Sequence, residues 1–488
     1  MRVLLAVHLP RLPLEIFRPR WLGESAHGCV VLEGDTVALL DRKAGAAGVR
    51  PGMRRGGVLT LVPDIELHER DMGREEETLH EVAVALMRFS PDVAVAAEAT
   101  VLMDISASLR LFGGVAVLCR EVRRVVDTMG VSARITAAPT GTGAWLLARA
   151  STRRLLKLAS LERRLSALPF GTVPELRPFA DWFTGIGCVS IADVRRLPRA
   201  GLQRRCGVEV LDCLDRAFGT APELYEWLVL PPKFVARIEL PDRVEDAEAV
   251  LFSAHRLIMQ LCGWLAGRQL AVTALDVRLE HERGRAAIPP TAISIALAEP
   301  TWREHHLVRL LRERLSRTEL AAAVIAVSIE ATKVDTAVPA SDQLFTEPGG
   351  TAEEHTRLVE LLVARLGVEN VLRAAPTADY RPEVANRWVP LGDAVRTDPL
   401  PLHMPRPAWL LDSPVQLMVR RHRPFYGSPL RKVSPPERIE AGWHDGQLIT
   451  RDYFVVQADD GTCYWAYQER VSSRDEGDAS WFLHGLFG

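Results

Sequence analysis

The sequence offers no uninterrupted run of roughly 18 to 20 apolar residues, the length a helix needs to cross a bilayer. Its opening, MRVLLAVHLPRLPLE, meets Pro10, Arg11 and Pro13 before an apolar segment of signal-peptide length has formed. The expected location is therefore the cytoplasm. Cysteine is scarce: Cys29, Cys119, Cys188, Cys206, Cys213, Cys262 and Cys463 are odd in number, scattered, and contain no CxxC pair. That spacing indicates neither a disulfide framework nor a zinc site, and buried free thiols are expected, with no metal or cofactor. A surplus of positive charge is missing too, since 60 basic residues face 62 acidic ones for a net charge of -2. A nucleic-acid partner would have to be met by local patches. Lysine is nearly absent, so those patches would be arginine, whose planar fork suits phosphate, although an arginine-rich genome gives the same bias.

What is present is a globular balance over 488 residues, 48% hydrophobic and 25% charged, enough for roughly three to four domains. Residues 1–165 alternate strand-like runs (Arg2 to Val7, Val30 to Leu40, Ala94 to Ile105, Ala133 to Ala138) with helical stretches (Glu75 to Phe89, Val115 to Met129, Gly143 to Ala150), predicting an α+β domain. Residues 166–229 read as short helices interrupted by Gly185-Ile186-Gly187. Glycines there let backbone amides approach a phosphate, as in helix-hairpin-helix modules, while a plain helix cap is the better account of the glycines taken alone. Residues 232–335 follow a strand, helix, strand, strand, helix, strand order, the βαββαβ pattern of a four-stranded antiparallel sheet. A Pro, Thr, Asp and Gly-rich linker covers 336–351. Residues 352–488 open with an amphipathic helix, Glu353 to Leu366, and continue as a small β-rich domain with a hairpin turn at Asp459-Asp460-Gly461.

This order resembles the Y-family (DinB/UmuC-like) DNA polymerases: palm and fingers, helical thumb, then little finger. The strings that carry the resemblance are GVRPGM (Gly48 to Met53) with LVPDIELHERD (Leu61 to Asp71), VLMDISASLRLFGG (Val101 to Gly114), and ARITAAPTGTGAWLLARA (Ala133 to Ala150). The N-terminal VHLPRLPLE and the C-terminal RDYFVV and WFLHGLF extend it to a branch of the family whose members lack the acidic metal ligands. The resemblance implies a multidomain α+β fold and a role in translesion synthesis and damage-induced mutagenesis, close to the nucleoid.

Active members hold two Mg²⁺ with an Asp-x-Asp at the end of the first strand and an Asp-Glu pair in the second motif. Here the resemblance sets His8 and Pro10 on the first pair, and Asp104 and Ile105 on the second. One carboxylate cannot hold two hard cations against their hydration, so no catalytic residue is expected and Asp104 is a remnant. The family's triphosphate-binding positions fall on Arg42, Gly45, Thr140 and Gly141. The alternative is an active translesion polymerase with a divergent metal site drawing on His8, Glu15 or Asp41. A third reading is a DNA-binding repair factor without clamp contact.

By the same resemblance, Gly185, Gly187, Arg204 and Arg205 of the thumb, with Arg195 and Arg196 nearby, and Lys233, Arg237 and Arg268 of the little finger are DNA-backbone contacts. Ser341-Asp342-Gln343-Leu344-Phe345 matches a sliding-clamp ligand lacking its usual leading Gln. The β-rich end is where an ImuA-like protein and an error-prone DnaE-type polymerase would dock. The apolar terminus either packs on the hairpins or meets a partner, and on the second alternative Trp481, Phe482, Leu486 and Phe487 are the expected contacts.

Overall fold

The first strand of the chain, LLAVH, is apolar on both faces, which requires cover on both sides. In the computed structural model, which describes residues 2–23, 25–282, 288–337, 352–393, 405–470 and 480–487, it receives that cover. Two units are distinguished, Met1–Leu361 and Leu362–Gly488.

In the first unit, β1 (Leu4–His8) leads through a helical turn, α1 (Leu12–Glu15), to a fingers-like subdomain. This consists of β2 (Cys29–Glu33), β3 (Thr36–Leu40), α2 (Arg42–Ala46), α3 (Arg55–Leu61) and β4 (Glu66–Glu69), with sheet order β3-β2-β4. The palm is completed by α4 (Met72–Leu86), β5 (Val93–Ala96), β6 (Thr100–Asp104), α5 (Val115–Thr128), β7 (Arg134–Ala138) and α6 (Gly141–Ala150). Its sheet runs β5-β6-β1-β7, antiparallel throughout. Period-two alternation sorts the side chains. Leu5, Val7, Val101, Met103 and Ile135 pack under α4 and α5, whereas Ala6, Leu102 and Ala138 face α6 and the thumb.

The thumb helices α7 (Leu158–Ser166), α8 (Ala180–Gly185), α9 (Ile191–Arg196), α10 (Arg199–Cys206) and α11 (Val208–Ala217) share a core with α6 through Leu161, Phe183, Ile191 and Leu214. The little finger follows its predicted order: β8 (Val235–Val244), α12 (Ala247–Arg268), β9 (Leu270–His281), β10 (Thr291–Thr301), α13 (Glu304–Leu315) and β11 (Val324–Thr336). Its antiparallel sheet is ordered β10-β9-β11-β8. One helix, α12, is long and apolar enough by composition to cross a membrane, but Val250, Leu257, Leu261 and Leu265 are fully buried within the protein, the pattern of a core helix.

A largely but not fully buried carboxylate, its side chain 11% exposed, fastens this domain to the palm. Glu304, at the start of α13, accepts hydrogen bonds from Arg88 at 2.9 Å, from Arg124 at 3.1 Å and from His255 at 3.0 Å. Burial by itself would raise its pKa, but the bonds from His255, Arg124 and Arg88 outweigh it and hold the carboxyl far below the usual range. A depressed pKa contributes stability that is present above the ordinary value of 4.5 and is lost as pH falls below it. Glu304→Gln is expected to destabilise the protein by roughly 3 kcal/mol at pH 7, the scale for breaking a buried pair. Urea unfolding should show that difference shrinking at pH 3.5.

The helix α14 (Ala352–Leu366) carries Glu360, which accepts from the Ala298 amide and pairs with His306, both at 2.6 Å. The boundary between the units therefore falls within this helix, later than the start at 352 read from the sequence.

The second unit contains a two-stranded ribbon, β12 (Leu372–Pro376) with β13 (Asn386–Pro390), and an eight-stranded sheet. The sheet is built from β14 (Trp409–Arg420), β15 (Arg423–Tyr426), β16 (Ser428–Pro429), β17 (Arg431–Lys432), β18 (Glu437–Ala441), β19 (Ile449–Gln457), β20 (Cys463–Glu469) and β21 (Trp481–Leu486). Its order is β16-β15-β14-β21-β20-β19-β17, with β18 on β19. The Asp459-Asp460-Gly461 turn joins β19 to β20, with Gly461 at φ +91°. In the core, the Tyr453 ring stacks on Trp465 with centroids 4.0 Å apart, and its hydroxyl bonds Nδ1 of the fully buried His484 at 2.8 Å.

This arrangement corrects one expectation. Trp481, Phe482 and Leu486 belong to an interior strand paired on both sides, and Phe487 follows it with its amide bonded to the Cys463 carbonyl. Trp481 is 5% exposed and the other three are half-buried, so they are not a free apolar tail presented to a partner.

Candidate active site

Strand register decides which residues can share a site. His8, at the end of β1, lies opposite Thr100 on one side and Arg134 on the other, while Leu4 lies opposite Asp104 and Ala138. Asp104 is thus four residues away along the sheet, about 13 Å at ~3.3 Å per residue. Metal ions about 4 Å apart cannot be shared over that distance.

The assignment of Asp104 and Ile105 to the second half of a metal site is therefore corrected. Asp104 accepts from Arg2 at 3.0 Å and from the Ser106 amide and hydroxyl at 3.0 and 2.6 Å. Burial pushes its pKa up, but the Ser106 and Arg2 bonds prevail and lower it. Ile105 is fully buried in the palm core.

The residues that do face the end of β1 form the turn Ala97-Glu98-Ala99, between β5 and β6. Glu98 and Ala99 have φ of 56° and 47°, a left-handed conformation uncommon outside glycine. Three bonds fix it: Leu9 amide to Ala99 carbonyl at 2.8 Å, Thr100 hydroxyl to Glu98 carbonyl at 2.9 Å, and Trp145 Nε1 to Ala97 carbonyl at 2.9 Å. His8 adds a fourth, its Nδ1 lying 3.0 Å from the Glu98 carbonyl. Burial lowers the His8 pKa, and because the carbonyl oxygen can only accept, Nδ1 is the donor in this bond.

Among His8, Leu9, Pro10, Glu98, Ala99, Thr100 and Arg134, the single carboxylate is Glu98. It is already taken. Arg177, on the thumb turn Pro174–Phe179, grips both its oxygens at 2.6 and 3.3 Å, and Arg149 of α6 forms a second ion pair with it. The Arg149 side chain is 8% exposed and stacks over Trp145 at 5.0 Å. A magnesium ion would have to displace two guanidinium groups to reach one carboxylate. The donor set does not fit a magnesium pair.

The other candidate ligands do not join it. Glu15 accepts from the Ser132 amide and hydroxyl, both at 2.7 Å, and Asp41 caps α2 by accepting from the Ala44 amide at 2.8 Å. Thr140 and Gly141 lie at the Leu4 end, where the amides of Gly141 and Thr142 already donate to Glu223 at 2.9 and 2.7 Å. The one cluster of ligand-type side chains found among the described residues, Cys29, Glu66 and His68, belongs to the fingers sheet; Arg18 holds Glu66, and Phe17 stacks on His68.

The DNA-contact candidates divide. Gly187, at φ +83°, ends α8: its amide donates to Thr184, that of Ile186 to Trp182, and that of Cys188 to Phe183. The Val189 and Ser190 amides donate to Asp193, which caps α9 together with Ser190. Gly185 and Gly187 therefore cap a helix, and the amides beside them are not available to a phosphate. Arg237 is neutralised by Glu280 and Glu239, and Arg268 donates to the Pro231 carbonyl. Arg195 and Arg196 pair with Glu162 and Asp193. Arg204, Arg205 and Lys233 are exposed, and no carboxylate pairs with them among the described residues. Ser341 to Phe345 lie outside the described residues.

Residues 23–149 match the impB/mucB/samB family. Two relatives, each named Protein ImuB and from Caulobacter vibrioides strains NA1000 / CB15N and ATCC 19089 / CB 15, are 26% identical over 472 residues, covering 90% of this chain and 100% of theirs. Among solved structures, a Dbh ternary complex is similar with a TM-score of 0.38 and 16% identity over 67% of this chain and 98% of that one. A Y-family DNA polymerase chimera of Dbh gives 0.39 and 15% over the same shares. Residues 23–149 are thus similar to the impB/mucB/samB family, and the chain is similar to Protein ImuB over 90% of its length.

Proposed function

We propose that this relative of Protein ImuB is a non-catalytic, polymerase-like adapter in translesion synthesis and damage-induced mutagenesis. It binds DNA and the sliding clamp, and recruits an error-prone DnaE-type polymerase together with an ImuA-like protein in the cytoplasm. The observation that carries the reading is the end of the palm sheet, where the only carboxylate among the described residues, Glu98, is held by Arg149 and Arg177. A palm that cannot gather metal ions has value for what it holds. The similarity to ImuB supports a role connected with DNA damage. Exposed Arg204, Arg205 and Lys233 supply sequence-independent backbone contacts, for which binding that falls steeply with added salt is expected.

Clamp docking is assigned to Leu344 and Phe345 on sequence alone. Replacing both with Ala is expected to reduce clamp capture from purified components at least tenfold while leaving DNA binding intact. Capture at the unsubstituted level would refute the clamp part of this reading.

A further inference from the structure

Several arginines of the palm and fingers are matched by carboxylates: Arg2 by Asp104, Arg18 by Glu66, Arg20 by Asp127, Arg70 by Glu75 and Glu33. One group without carboxylate partners among the described residues is gathered around a single cavity. Beyond β7 the chain returns along the sheet edge, where the Ala137 amide donates to the Arg153 carbonyl at 3.0 Å and the Leu155 amide donates to the Ala137 carbonyl at 2.8 Å. Between this added edge and α5 lies a cavity of about 300 Å³ whose polar lining is Arg120, Arg123, Thr152, Arg153, Arg154 and Cys119. No carboxylate lines it. Arg123 is fixed by a bond to the Ala133 carbonyl at 3.1 Å, while Arg120, Arg153 and Arg154 have no acidic partner among the described residues.

Four guanidinium groups gathered around one space repel one another, and an anion placed among them relieves that repulsion. The planar fork of arginine matches the oxygens of phosphate in particular, and the Thr152 hydroxyl adds a neutral donor. The cavity is small, at the lower end of ligand sites, and suits one or two linked phosphates. We propose that this cavity on the outer edge of the palm is a phosphate-binding site. Free pyrophosphate and the backbone of a DNA strand supply the same chemistry, and the site stands independently of the adapter reading.

Cys119 provides a local probe, being half-buried and part of the cavity wall. In the full-length protein, alkylation of Cys119 followed by peptide mass spectrometry is expected to slow several-fold with inorganic pyrophosphate, and not with sodium chloride at equal ionic strength. A variant carrying Arg120→Ser, Arg153→Ser and Arg154→Ser, whose side chains are exposed so that the fold is retained, should lose that protection when each protein is compared with and without pyrophosphate. A melting curve checks the fold. Arg123→Lys, which keeps the charge, should retain most of the protection. A single-stranded oligonucleotide then separates the sources: protection by it, with a salt slope of DNA binding lower by about 2 in the triple variant, assigns the site to backbone phosphates. Protection by pyrophosphate alone assigns it to a free ligand. No slowing in the unsubstituted protein, or equal slowing in the triple variant, overturns the proposal.

Discussion

A chain terminated after Asp478 is expected to lose the fold of its second unit. The removed segment includes β21, which pairs with β14 through Leu417, Gln416 and Val415 and with β20 through Gln468, Tyr467 and Ala466. Its loss strips the ladder from two strands at once. It also takes away Trp481, Leu483 and His484, which are 5%, 2% and 0% exposed, and leaves the Tyr453 hydroxyl with Arg451 as its remaining partner, at 3.2 Å. Burial of each large apolar side chain contributes roughly 1.5 to 3 kcal/mol, and the lost hydrogen bond to His484 about 1 more. Together these approach the total stability of an ordinary domain, about 5 to 15 kcal/mol. Limited proteolysis should then digest the region beyond residue 362 while the first unit persists. A truncated chain that resists proteolysis there as the complete one does would show that the last strand is dispensable.

Gly263→Ala gives a prediction whose sign separates two effects. On helix propensity alone, alanine in the middle of α12 should stabilise by about 1 kcal/mol. Packing dictates the opposite. A Cβ at this position would lie 2.0 Å from the Val84 carbonyl oxygen and 2.8 Å from the Ala85 Cα, both backbone atoms of α4. The two helices would have to move apart, which also disturbs the Glu304 contacts nearby. A loss of about 3 kcal/mol is expected in urea unfolding, the upper end for overpacking a core. Gly267→Ala is the control, since its new Cβ would meet the side chains of Leu230 and Met87, which can give way. A stabilised Gly263→Ala protein would mean that the little finger does not sit on the palm in this way.

The two predictions rest on different degrees of legibility. The little finger was readable because its helices and strands carry their own periods and are separated by turn residues, so βαββαβ follows from pattern alone. The palm was read correctly in outline and wrongly at one turn. Ala94 to Ile105 looks like a single strand, yet it is β5, a turn and β6. The turn, Ala97-Glu98-Ala99, contains no Gly, Pro, Asn or Asp, and two of its residues adopt positive φ because Leu9, Thr100, Trp145 and His8 hold it there. Reading through that turn displaced the second motif to Asp104 and hid Glu98. The polar residues Glu98 and Thr100 within an otherwise apolar run were the available signal.

Two other segments admit two readings each. Gly185-Ile186-Gly187 invited a phosphate loop, but Ser190 followed three residues later by Asp193 is a capping-box signature, which marks a helix start and accounts for the preceding glycine as a helix end. WFLHGLF, by its pattern, either packs on the hairpins or meets a partner, and the structure shows the first. Its composition is that of a strand covered on both faces, and which strands cover it depends on pairings over long sequence separation that no local pattern encodes.

Primer extension by the purified full-length chain, with a primed template, all four nucleotides and either Mg²⁺ or Mn²⁺, bears directly on the palm. With its one acid held by Arg149 and Arg177, the end of the sheet should support no extension above the protein-free background with either metal. Extension that Glu98→Ala abolishes and Asp104→Ala leaves intact would contradict the account, because it would mean that a working metal site is assembled around that turn.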